Sequence, residues 1–461
     1  MSESLFNEFE PVSAKQWKQK IQYDLKGADY NDSLIWTSNE GIQVKPFYHL
    51  DDFKEFPPVS KTQASQFKIC ETIYVEDLKK SNLNALASIK GGVESINFII
   101  PSEDISLEQL LENIDLEAIK IYFELEFLSA EFVKQLSVIP AHPDGYRKRI
   151  QINTDIIGNL AKTGNWFSSL KDDFSKFEAI VKASKSFAVD VSLYQNAGAN
   201  IAQQLAYALA HANEYFNHFE NTISTENTSE ICITFNISVG SNYFFEIAKL
   251  RALRLLVDTL KKEYSLNYNV HIFATPSKRN KAIYDYNTNM LRTTTECMSA
   301  ILGGADTICN LPYDAIFHKQ NAFGSRIARN QLLILKHESY FDTVDNPADG
   351  SYYVESLKAQ LAEKALALFK DIEANGGFLK QLKDGTIQRK IKESAEKEQG
   401  QFNAGETIIL GSNKHPNPED RMEQNLELYP FVKQQKRKTL IEPIIEKRLT
   451  EKSEQERLKT E

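Results

Sequence analysis

The chain has 461 residues, 42% of them hydrophobic and 25% charged, a balance that leaves ample material for a packed core. Its net charge of −9 argues against a nucleic-acid or anionic-membrane partner, which would want a basic face. No apolar run approaches the ~18 residues that span a bilayer, and the acidic stretch Met1–Glu10 lacks the regions of a secretory signal. Cys70, Cys232, Cys297 and Cys309 are too scattered for a zinc motif, and the three in apolar strand-like stretches read as reduced, buried thiols. A cytoplasmic location is expected.

Residues 1–66 lack the rhythm of the rest of the chain. Ser13 is a candidate cap for a helix through Trp17, Ile21 and Leu25 that Gly27 ends. Pro46, Pro57 and Pro58 favour extended chain beyond it. The segment reads as an arm that wraps a partner, with Trp36, Phe47 and Tyr48 as aromatic anchors.

From about residue 67 a strand–helix alternation repeats eight times. The strand candidates are Phe67–Tyr74, Ser95–Ile100, Ala118–Glu124, Lys148–Asn153, Phe187–Ser192, Ile231–Ile237, Asn269–Ala274 and Ala305–Cys309. Ile231, Ile233, Phe235 and Ile237 alternate with Cys232, Thr234 and Asn236, the period of a strand with two different faces. Between strands, Ile201, Leu205, Ala208, Ala212, Tyr215 and Phe219 recur at helical spacing after a possible cap at Asn200. Phe244, Ala248, Ala252, Leu255 and Thr259 do the same after Asn242. Eight such units point to an α/β fold, a closed parallel β/α barrel with an outer helix ring over residues 67–340. An open doubly wound sheet is the alternative. Residues 341–461 read as a helical extension, with Ser356 capping a helix through Leu357, Leu361, Ala365, Leu368 and Ile372 that Gly376-Gly377 closes. From Lys433 the charges are densely mixed, which suggests a solvated helix or frayed end.

Three stretches carry charge at helical or turn positions. Arg326–Glu338 forms an amphipathic helix, with Ala328, Leu332 and Leu335 on one face and Arg326, Arg329 and Asn330 on another, before the turn-forming Asn346–Tyr353. Asn242–Arg254 holds Glu246, Lys249 and Arg251, which can pair with one another at close helical spacing. Asn289–Gly304 holds Arg292 and Glu296 at i, i+4, which can do likewise. Together with Ala197-Gly198-Ala199 and the Trp17…Leu25-Lys26-Gly27 and Gly41–Tyr48 segments, these stretches resemble the methylmalonyl-CoA mutase family along roughly residues 5–410. The resemblance implies an eight-stranded β/α barrel. In catalytic relatives, coenzyme A threads the barrel axis and cobalamin sits on the C-terminal face.

Several residues that such chemistry needs are missing. The family's cobalt-ligating histidine lies in an Asp-x-His-x-x-Gly motif, and none of His49, His142, His211, His218, His271, His318, His337 and His415 has an aspartate two positions before it. Only 46 residues follow His415, against the ~100 of an ordinary domain, so no cobalamin-binding domain is expected on this chain. Catalytic relatives grip coenzyme A and the substrate carboxylate with arginines, yet the first arginine here is Arg147 and none falls between Arg149 and Arg251. Where the resemblance places a proton-donating histidine before Ala-Gly-Ala, this chain has Leu193.

The resemblance thus implies the small, non-catalytic subunit of a heterodimeric mutase. It implies no catalytic, cofactor-binding or metal-ligating residues on this chain, with adenosylcobalamin and the succinyl-CoA/(R)-methylmalonyl-CoA chemistry on a large partner subunit. Two alternatives stand beside it. One is an independent acyl-CoA isomerase with a rebuilt pocket, using Tyr194, Gln195, Asn236 and Glu296 and a detached cobalamin protein. The other is a regulatory or chaperone-like partner of a mutase.

Overall fold

The computed structural model describes residues 8–60, 62–135, 150–220, 222, 229–433 and 437–461. Eight parallel strands form one sheet: β1 Lys68–Tyr74, β2 Ser95–Ile100, β3 Lys120–Leu125, β4 Ile150–Ile152, β5 Ser186–Asp190, β6 Cys232–Val239, β7 Asn269–Pro276 and β8 Thr307–Cys309. Lys148 and Arg149 of the fourth strand candidate lie outside the described residues, as does Arg147. The spatial order is β4-β3-β2-β1-β8-β7-β6-β5, so the first and last strands are neighbours and the sheet curls into a barrel. An open doubly wound sheet is excluded by that pairing. The remaining seam, between β4 and β5, is held by Ala188 N donating to Thr154 O at 3.0 Å. Beside it, Ile152 N donates to the Ser186 hydroxyl at 2.8 Å.

Strand alternation divides the barrel into two unlike surfaces. Ile96, Phe98, Ile100, Ile121 and Phe123 join the helices in one large apolar core, including Leu205, Ala208 and Ala212 of the Ile201–Glu220 helix. The alternate residues point inward and are largely polar: Thr72, Asn97, Gln151, Thr234, His271 and Thr307. In many barrels, branched aliphatic side chains fill these layers. The outer face therefore supplies the hydrophobic stabilisation, and the lumen is left for hydrogen bonding.

The arm lies on its own chain's helix ring. The helix Ala14–Asp24 starts at Ser13 with a complete capping box to Gln16 and buries none of its residues. A two-residue ladder pairs Trp36–Thr37 with Gln43–Val44. The Trp36 ring then meets Phe245 edge-on at 5.8 Å, and Glu40 accepts from Ile201 N at 3.1 Å.

Beyond the barrel the main helix runs Tyr352–Ala374 and starts at Ser351, so Ser356 lies inside it rather than capping it. Tyr352 and Tyr353 open that helix because they pack on Phe53, Phe56 and Tyr48 of the arm, a tertiary contact that local pattern does not reveal. The expectation of a frayed or solvated tail fails for residues 439–454. Leu449, Thr450, Glu451 and Glu454 are buried there. Arg448 pairs with Glu454 at 2.7 Å and donates to Lys281 O at 3.0 Å. Mixed charge reads as solvated only until a backbone is found that satisfies it.

Candidate functional site

Barrel enzymes keep their chemistry at the C-terminal ends of the strands, and there the chain has a cavity of about 490 Å³. Its walls carry Thr72, Asn97, Asn153, Asn236 and the carboxyls of Glu124 and Asp190; its floor is Cys70, Phe273 and Cys309. The one-turn helix Ser192–Asn196 leaves β5 at the rim. Leu193 on that turn lines the cavity, so the position where the resemblance expects an imidazole presents a side chain with no proton to give.

The axis below the floor is filled. Tyr122, fully buried, places its hydroxyl 2.9 Å from His271 Nε2 and 2.7 Å from Thr307 Oγ1. Its ring meets Phe273 edge-on at 5.2 Å. Beside it, Gln151 Nε2 donates to Cys232 Sγ at 3.0 Å, and Lys120 Nζ lies 3.4 Å from His271 Nδ1. Burial, with Lys120 adding to it, pulls the His271 pKa down to about 3, so the imidazole is neutral in this network. Of these side chains only Phe273 lines the cavity; the others lie outside its lining.

Among its described lining residues, the mouth carries one more carboxyl than it has lysines and arginines. Glu71, Glu124, Asp190, Asp314 and Glu446 line the cavity, against Lys162, Lys278, Lys319 and Arg329. Arg329, the single guanidinium among the described lining residues, is held by Glu71 at 2.9 Å, and Lys278 by Glu446 at 3.3 Å. Burial pushes the carboxyls of Glu124 and Asp190 above their ordinary range, and for Glu124 the neighbouring Asp190 charge adds to it. Burial works against the Lys162 ammonium, yet Asp190, Glu124 and Glu446 outweigh it and raise its pKa.

The rim is clamped by the C-terminal segment. Ile441 N donates to Gly164 O at 3.1 Å, Ile444 N to Ala161 O at 2.8 Å, Lys447 N to Asn196 O at 3.0 Å and Leu449 N to Arg279 O at 2.9 Å. One strap thus ties together the segments that follow β4, β5 and β7. Gly198, at φ +104°, lies so close to Ala395 that a Cβ there would stand 2.5 Å from the alanine methyl, which explains the glycine.

The signature helices serve the framework. Lys249 is buried and donates to Gln195 Oε1 at 2.8 Å, Gln204 Oε1 at 3.1 Å and Ser238 O at 2.7 Å, and it pairs with Glu246 at 2.5 Å. Arg251 does not pair within its helix. It reaches Asp349 of the Asn346–Tyr353 turn at 2.5 Å, and Glu355 beyond it. Glu296 likewise ignores Arg292 and binds Lys281 at 2.8 Å, while Arg292 donates to Leu410 O at 2.6 Å. Of the four groups of the isomerase alternative, only Asn236 lines the cavity. Tyr194 is buried with its hydroxyl 3.0 Å from His211 Nδ1, Gln195 is held by Lys249, and Glu296 by Lys281. Sequence reasoning missed Glu124 and Asp190 at the mouth and Tyr122 in the axis. The alternation of β3 carried the signal for Tyr122 and Glu124, both in step with the inward face.

A family model described as methylmalonyl-CoA mutase matches residues 99–460. The chain is 33% identical over 445 residues to the methylmalonyl-CoA mutase small subunit of Porphyromonas gingivalis, covering 90% of this chain and 71% of that one. It is 30% identical over 455 residues to a methylmalonyl-CoA mutase of Cereibacter sphaeroides, covering 87% of this chain but only 64% of that protein. It is 26% identical over 428 residues to the small subunit of Streptomyces virginiae, covering 84% of this chain and 68% of that one. With a polar-lined parallel barrel whose motif helices are locked by buried ion pairs, and with these matches across most of its length, the chain belongs to the methylmalonyl-CoA mutase family.

Proposed function

We propose that this chain is the small subunit of a heterodimeric methylmalonyl-CoA mutase, a barrel that stabilises a catalytic partner and does no chemistry itself. The observation that carries the reading is the filled axis: Tyr122, His271, Thr307 and Phe273 occupy the path along which catalytic relatives thread coenzyme A. Leu193 at the rim and the carboxylate excess of the mouth support it independently. Two relatives carry the small-subunit name, which supports a large partner. The complex would interconvert succinyl-CoA and (R)-methylmalonyl-CoA in the cytoplasm.

Adenosylcobalamin would supply the radical from the partner. Among the described cavity-lining residues, this barrel offers cobalt no free imidazole of its own. His318 is the single imidazole among them, and it is engaged by Asp314 at 3.1 Å and Asn425 at 3.4 Å.

The test is turnover. The purified chain with adenosylcobalamin and methylmalonyl-CoA is expected to form no succinyl-CoA, and Leu193→His to form none either, because an imidazole at the rim does not reopen the axis. Co-expression with a large mutase chain is expected to give a one-to-one complex that is active. Turnover by this chain alone would overturn the reading.

A further inference from the structure

Cys70 on β1 and Cys309 on β8 are aligned partners on neighbouring parallel strands. Both side chains turn into the lumen, where they form the cavity floor with Phe273. Thr72 Oγ1 lies 3.2 Å from Cys309 Sγ, and Cys70 Sγ lies 3.8 Å from Glu71 O. Neighbouring parallel strands stand ~4.8 Å apart, inside the ~4.4–6.8 Å that a disulfide bridges between Cα atoms. The remaining cysteines are placed differently. Cys232 sits beneath the floor, bonded by Gln151, and burial pushes its thiol up to about 11. Cys297 is enclosed in the Thr288–Leu302 helix, where burial holds its pKa well above the ordinary thiol value. Neither lines the cavity.

We propose that Cys70 and Cys309 form a redox-active dithiol at the base of the barrel cavity, closable to a disulfide by a small organic disulfide entering through the mouth. The neighbouring Cys70 thiol and the Thr72 hydroxyl lower the Cys309 pKa, which favours the thiolate, the form that attacks. Cys309 Sγ attacks one sulfur of the small disulfide, whose S–S bond breaks and releases the first thiolate. Cys70 Sγ then attacks the mixed disulfide at Cys309 and expels the second. The protons of the two protein thiols leave with the two released thiols, and the pair's two electrons have reduced the small disulfide. The product is a covalent link between the first and last strands, at the ladder that joins the two ends of the barrel.

The experiment treats the full chain with bis(2-hydroxyethyl) disulfide, then unfolds and alkylates it. The expected result is a drop from four alkylated thiols to two, with the linked peptides mapping to Cys70 and Cys309. In Cys70→Ser, after circular dichroism has established folding, the mixed disulfide is expected to stay stranded on Cys309. Four alkylated thiols after treatment, an unclosed adduct in the unsubstituted chain, or linkage through Cys232 or Cys297 would each overturn the proposal. If Cys70→Ser does not fold, the mapping on the unsubstituted chain decides.

Discussion

The helix ring and the barrel mouth have been treated in opposite ways. In the ring, buried charges are matched: Arg251 with Asp349 and Glu355, Lys249 with Glu246, Lys281 with Glu296. At the mouth, the Oδ1 atoms of Asn97, Asn153 and Asn236 are buried without a protein partner, and Glu124 and Asp190 sit close together with raised pKa values. A buried ion pair with one partner removed leaves an uncompensated charge, so the ring tolerates little change. The mouth already carries unmatched groups and tolerates more. The motifs that mark the family belong to its framework, and a chain can keep all of them while its pocket diverges.

The comparison breaks most severely at Arg251. Arg251→Ala leaves Asp349 and Glu355 facing each other, and the expected loss is about 3–5 kcal/mol, read as a lower urea midpoint with unchanged slope. An unchanged midpoint would mean that the clasp between the two signature stretches contributes nothing. Next is Tyr122→Phe, which strips the hydroxyl shared by His271 and Thr307. The expected cost is about 1–3 kcal/mol, by the same measurement.

The smallest effect is expected at the mouth, and its sign is opposite. For Glu124 and Asp190 the folded state holds its protons to higher pH than the unfolded chain does, because burial disfavours the charge. Their contribution is favourable below the raised values and is lost as pH rises through them. Glu124→Gln is therefore expected to raise the unfolding midpoint at neutral pH. The gain should vanish on acidification into the ordinary carboxylate range. A gain that persists there would indicate repacking and not relief of charge.

Much of this architecture was legible in the residues. β2 matches its sequence candidate, Ser95–Ile100, because Ile96 and Phe98 alternate with Ser95 and Asn97. Phe187–Ser192 overran its strand, which spans Ser186–Asp190, because Ser192 is drawn onto the Asp190 carboxylate, donating through its backbone N at 3.0 Å. Leu193 was readable as a lost donor, since side-chain chemistry needs no coordinates. The plug was not, because Tyr122, His271 and Thr307 meet only through strand register around a closed ring. Arg251 offered its helical neighbours as partners, and only the fold brings Asp349 to it. The tail misled for a related reason: Arg448 and Glu454 look solvated until Lys281 O and Ile283 N are found beside them.

The strap over the rim sets an order of events during synthesis. Its anchoring residues, Ile441 to Leu449, emerge well after Cys309 of the last strand. At ~5–20 residues per second the interval is roughly 7–30 s, long compared with helix or hairpin formation. A ribosome-bound barrel therefore has its ring available before its rim segments are fastened, and the cavity receives its final boundary only when residues 441–449 arrive.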